Sequence, residues 1–138
     1  MFFKSKKTTN ENIDLIKVAA LLIHAAKIDE NFSEQEEKII KETLLKIGAN
    51  SENLDEVMLN AKKYEENANQ ILEFTKQVKN MAEEDKGKIV ESLWKIVYSN
   101  NKADIYETSL MRRLAGLLYI DNKTMGDIKE KIKKENSQ

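Results

Sequence analysis

Apolar residues recur three and four positions apart along almost the entire chain, and no proline interrupts them. That spacing puts side chains on one face of an α-helix, and proline is the residue that breaks helices most effectively. Four glycines in 138 residues leave little turn chemistry for an all-β fold. The chain is therefore expected to be all-α, and its length suits one domain rather than two.

Residues with N-cap spacing divide the chain into helices. Thr8 with Glu11 opens a first helix that carries Ile13, Ile16, Ala20, Ile23 and Ala26 on one face and ends near Lys27. Ser33 with Glu36 precedes a second, bearing Ile39, Ile40, Leu44 and Ile47, and Gly48 suits a left-handed C-terminal cap. Ser51 opens a third through Leu54, Val57, Met58 and Ala61, and Asn67 a fourth through Ile71, Phe74, Val78 and Ala82. Asp85 starts a fifth, whose Ile89, Leu93, Ile96 and Val97 accompany Trp94 into the central core. Asp104 with Glu107 caps a sixth, through Leu110, Leu114 and Leu117, and Thr124 with Asp127 a seventh, through Ile128 and Ile132. The expectation is a compact bundle of about seven helices over residues 10–134, with a flexible tail at 1–9 and a frayed end at 135–138.

The chain also resembles itself at a shift of about 71 positions. Val18 then meets Ile89, Ala19 meets Val90, Leu22 meets Leu93, Ile23 meets Trp94 and Ala26 meets Val97. Beyond the turn Glu36 meets Glu107, Ile39 meets Leu110 and Lys41 meets Arg112. Two helical hairpins of one design are expected, helices one and two repeating as five and six.

Composition narrows the chemistry. With no cysteine, disulfides, thiolate nucleophiles, zinc ribbons and thiolate-held iron–sulfur clusters are excluded. One histidine, His24, excludes any site needing two imidazoles from one chain, so a metal would be held mainly by oxygen: Ca2+, Mg2+ or Mn2+. A net charge of -1 lacks the field of a dedicated nucleic-acid binder. No apolar run reaches the ~20 residues that span a bilayer. Glu11 and Asp14 between the basic N-terminus and the apolar run from Val18 to Ala26 argue against a signal peptide, and a cytoplasmic location is expected.

The turn before the second helix concentrates oxygen donors. Asp29, Asn31 and Ser33 alternate as the first three ligands of an EF-hand do, but Glu34 stands where that loop needs glycine and Ile40 where it needs glutamate. Two readings remain: Ser33 and Glu36 as a capping box, or Asp29, Asn31, Ser33 and Glu36 as a divalent-cation site relieving the repulsion among neighbouring carboxylates. The second turn is poorer in acid, and Lys102 replaces Asn31 there. Arg112 and Arg113, the only arginines, suit a partner carboxylate or phosphate, or an ion pair with a helical neighbour. His24 is expected to be structural, with no recognisable partner for catalysis. Phe2 and Phe3 beside Lys4, Lys6 and Lys7 offer a peripheral membrane contact or a plain tail.

The second hairpin, Ser92-Leu93-Trp94-Lys95-Ile96-Val97-Tyr98 through Glu107 to Leu110-Met111-Arg112-Arg113-Leu114-Ala115-Gly116-Leu117-Leu118-Tyr119, resembles the tellurite-resistance protein B (TerB) family. There an apolar helix enters an "ADG" turn, an acidic residue follows, and the next helix carries an arginine pair. Ala25-Ala26-Lys27-Ile28-Asp29 through Ser33 and Glu36 resembles the same pattern, and the likeness covers about positions 13 to 132. The resemblance implies a TerB-like helical fold, shared with the N-terminal region of DjlA-type co-chaperones, a link to tellurite and stress resistance, and no established enzymatic activity. It also implies acidic turn residues as metal ligands: Asp29 and Glu36 match the first pair, and Glu107 alone matches in the second. Glu30 and Asn101 stand where the family has glycine, and Asn100 where it has aspartate. The functional expectation is a non-enzymatic protein-interaction or stress-response module. A Mg2+- or Mn2+-dependent carboxylate hydrolase and a membrane-recruited structural domain are the alternatives.

Overall fold

The computed structural model describes residues 15–27, 33–67, 72–99 and 105–136. Asp29 and Asn31, Phe2 and Phe3, the Thr8–Glu11 cap, and Asp104 with the second turn lie outside them, as does the Glu107 side chain. The described residues form seven α-helices and no strand: α1 (15–26), α2 (Glu34–Lys46), α3 (Leu54–Asn67), α4 (Leu72–Lys79), α5 (Glu83–Tyr98), α6 (Ile105–Leu117) and α7 (Asn122–Asn136). Among them no helix is long and apolar enough to cross a membrane.

Helix α1 is buried on every side, not on one face. Val18 through Ile23 are each at most 1% exposed, because this six-residue run carries no charge and the other helices close around it. α5 is the second core helix. Ile89, Val90, Leu93 and Trp94 are all buried, and α5 packs against both α2 and α7 while α4 packs on α6 and α2 on α3.

The two hairpins repeat in burial and in their caps. Each of the five matched pairs from Val18–Ile89 to Ala26–Val97 is buried at both positions. At the end of α2, Gly48 takes φ 125° and the Ala49 amide donates to the Leu44 carbonyl at 2.9 Å. At the end of α6, Tyr119 takes φ 57° and the Ile120 amide donates to the Ala115 carbonyl at 2.9 Å. Both are the same left-handed helix stop, made once with glycine and once with a tyrosine that bears the steric cost.

Several helix starts differ from the pattern read in the sequence. Ser51 lies in a turn, and α3 begins after Asn53, whose carbonyl accepts from the Val57 amide while its side chain trades hydrogen bonds with Asn50. Asn67 is the last residue of α3 and donates to the Lys63 carbonyl instead of opening α4. α5 starts after Ala82, with no side-chain cap; Asp85 sits inside its first turn with Glu83 and Glu84, where negative charge complements the positive end of the helix dipole. Asp121 caps α7, accepting the Thr124 amide at 2.7 Å, so Thr124 is one turn inward. That bond holds the Asp121 carboxyl below its usual pKa.

Candidate functional site

At the start of α2 the capping box is complete. The Ser33 hydroxyl accepts the Glu36 amide at 3.1 Å, and Glu36 Oε1 accepts the Ser33 amide at 2.9 Å and the Ser33 hydroxyl at 3.0 Å. Glu36 is buried although charged, because these donors replace its lost water. Glu37 is also held, by Lys62 of α3 at 2.7 Å. Of the four residues of the expected cation site, Ser33 and Glu36 are thus placed side by side in the cap. Among the described residues no group of three His, Asp or Glu converges as a metal site would.

His24 has a carboxylate partner that local sequence patterns do not reveal. Its Nδ1 lies 3.2 Å from Glu65 Oε2 near the end of α3, and the Lys27 ammonium donates to the other oxygen, Oε1, at 2.6 Å. Burial alone would raise the Glu65 pKa, but the Lys27 and His24 hydrogen bonds and charges outweigh it and hold the carboxyl below its ordinary value. The imidazole also packs 5.6 Å from the Phe74 ring of α4. The cluster ties α1 to α3 and α4, and the Lys27 charge on Glu65 opposes its use as a cation ligand.

Arg112 and Arg113 lie exposed on the outer face of α6, and neither forms an ion pair among the described residues. Arg112 rims a cleft of about 160 Å3 between α5, α6 and α7, whose apolar wall is Trp94, Met111 and Met125. Lys129 of α7 also lines it, with its ammonium 5.4 Å from the Trp94 ring centre, within cation–π range. Trp94 also stacks with Tyr98 at 5.9 Å, and burial followed by the Glu130 charge raises the Tyr98 pKa. Among the described residues no carboxylate lines the cleft, and its charged groups, Arg112 and Lys129, are both cations on a chain of net charge -1.

A second groove, of about 270 Å3, lies between α4 and the end of α6, lined by Thr75, Lys76, Lys79, Gly116, Leu117 and Tyr119. It too has lysines and, among the described residues, no carboxylate in its walls. The Lys79 ammonium stands 5.2 Å from the centre of the Tyr119 ring. Local sequence patterns do not reveal this groove, because its lysines and its tyrosine are 40 residues or more apart and only the fold joins them.

Neither a curated protein nor a solved structure is significantly similar to the chain. A family model described as tellurite resistance protein TerB, by contrast, matches residues 15–130, from the first residue of α1 into α7. The match covers most of the chain and both hairpins, and the helical fold agrees with it: this chain belongs to the TerB family.

Proposed function

We propose that the chain is a non-enzymatic TerB module of the cytoplasm that recognises a protein partner through the outer face of α6. The observation that carries this reading is the pair Arg112 and Arg113, both exposed and without an ion pair among the described residues, beside an apolar cleft. In the other hairpin the corresponding Lys41 lies 3.5 Å from Asp55, and Glu42 reverses the charge that Arg113 carries. Arginines on a rigid helix next to Trp94, Met111 and Met125 suit a partner with an acidic surface and an apolar anchor. Both clefts are walled by cations and apolar groups, the wrong charge to hold Mg2+ or Mn2+, which favours contact over metal-assisted hydrolysis. The family description, tellurite resistance, supports an accessory role in a stress response.

The proposal includes modulation by Ca2+, Mg2+ or Mn2+ at Asp29, Asn31, Ser33 and Glu36. Three glutamates in the first turn of α2 support it, and the cation competes there with the capping box for the same oxygens.

The test places a photo-crosslinking residue at Ser109, exposed one turn before Arg112 and Arg113, in cells that make the protein. Discrete protein adducts that disappear in the Arg112→Glu, Arg113→Glu double variant, while its melting temperature is retained, are expected. Adducts unaffected by the charge reversal would overturn the reading.

A further inference from the structure

Two residues of the second groove break local rules of backbone stability, and neither break is explained by packing. Tyr119 holds a left-handed conformation, φ 57°, that a bulky L-residue adopts only at a steric cost, whereas the equivalent stop of the first hairpin uses Gly48. Its side chain is 68% exposed, so core burial does not offset that cost. Gly116 sits in the last turn of α6, where glycine weakens a helix, yet a Cβ built on it meets nothing within 4 Å. Both line the same groove. Strain and weakness that coincide at one concave surface mark a place where the fold yields stability to binding.

The groove's chemistry defines what binds. Lys76 and Lys79 stand one turn apart on α4, and neither forms an ion pair among the described residues. The Asp121 carboxylate, two residues beyond Tyr119, is already committed to the Thr124 amide at the start of α7. Tyr119, 68% exposed, offers an aromatic ring that the Lys79 ammonium contacts at 5.2 Å, and Gly116 leaves the wall beside it free of a side chain. The volume of about 270 Å3 is near the lower end of small-ligand sites, which start at roughly 300 Å3. We propose that this groove binds a ring-bearing phosphate ester of nucleoside-monophosphate size, its ring against Tyr119 and its phosphate between Lys76 and Lys79. Gly116 lies one turn beyond Arg112 and Arg113 on α6, so the groove adjoins the arginine face, but the ligand it takes is a small molecule and its binding does not depend on a protein partner.

Adenosine monophosphate is the probe, titrated into the full chain and followed by amide chemical shifts, with inorganic phosphate and adenosine as controls. Saturable shifts at Lys76, Lys79, Gly116 and Tyr119 are expected, with affinity roughly tenfold above inorganic phosphate, the scale of one base stacked on an aromatic side chain, and above that of adenosine, which lacks the phosphate assigned to Lys76 and Lys79. Tyr119→Gly, which removes the ring and relieves the backbone, and Gly116→Leu, which fills the wall with a helix-favouring residue, should each weaken binding about tenfold without lowering the melting temperature. Absence of saturation at millimolar probe, equal affinity for inorganic phosphate, or full affinity in both variants would overturn the proposal.

Discussion

Removing the Glu36 carboxylate should cost this fold more than an ordinary helix cap does. Glu36 is 1% exposed and its Oε1 accepts from both the amide and the hydroxyl of Ser33, at 2.9 and 3.0 Å. Hydrogen bonds to a charged group contribute about 1.5–3 kcal/mol, and a carboxylate in the first helical turn adds about 0.3–1 kcal/mol through the dipole. Because Ser33 is half-buried, water can replace part of what is lost, so Glu36→Ala should destabilise by about 2–3 kcal/mol. At about 4 °C per kcal/mol for a chain of this size, the melting temperature should fall by roughly 10 °C. Ser33→Ala removes only the hydroxyl and should cost about 1 kcal/mol. Since each residue serves the other, the double variant should fall short of the sum by about 0.5–1 kcal/mol. Urea unfolding of the four proteins measures this directly. A loss below about 0.5 kcal/mol in Glu36→Ala, or full additivity, would refute the argument that the two residues form one reciprocal cap.

Glu65 makes the stability acid-sensitive in a way that identifies its partners. Its folded pKa lies below the ordinary value of 4.5, so its contribution is present above that pH and is lost as pH falls through the folded value. The stability gap between wild type and Glu65→Gln should therefore shrink below pH 4.5 in thermal melts, and a gap independent of pH would contradict the Lys27–Glu65–His24 assignment. Gly48→Ala should destabilise by about 1 kcal/mol from backbone strain, because φ 125° disfavours any Cβ while open space surrounds it; an unchanged urea midpoint would remove the strain argument at both hairpin stops. Titration with Ca2+, Mg2+ and Mn2+ should give saturable amide changes, by shift or paramagnetic broadening, confined to residues 29–37. Weak, non-saturating changes would leave Ser33 and Glu36 to the cap alone.

Much of this architecture is legible in the sequence because it is locally encoded. The Ser33–Glu36 box and Gly48 bound α2 as read, and the apolar positions of α5 all turn inward. Other helix starts differ from the sequence pattern for a physical reason. Acidic residues and threonine are favourable in the first turn as well as at the cap, so the spacing that marks a start also recurs one turn inside it. Asp85 and Thr124 are such cases, each with the spacing of a cap but lying within the helix. The His24–Glu65 pair was hidden because its members are 41 residues apart and no periodicity links them. Tyr119 carries no local signal for a positive φ. Only the internal repeat, which sets it opposite Gly48, could have pointed to it.

The repeat also supplies the control for the central claim, that the module acts through the outer face of α6. Arg113 and Glu42 occupy equivalent exposed positions in the two hairpins, so one crosslinking residue placed at either samples the same local geometry on different chemistry. In-cell irradiation of the two single-site variants should give discrete protein adducts from position 113 and none from position 42. Equal adducts from both, or adducts from position 42 alone, would contradict the account.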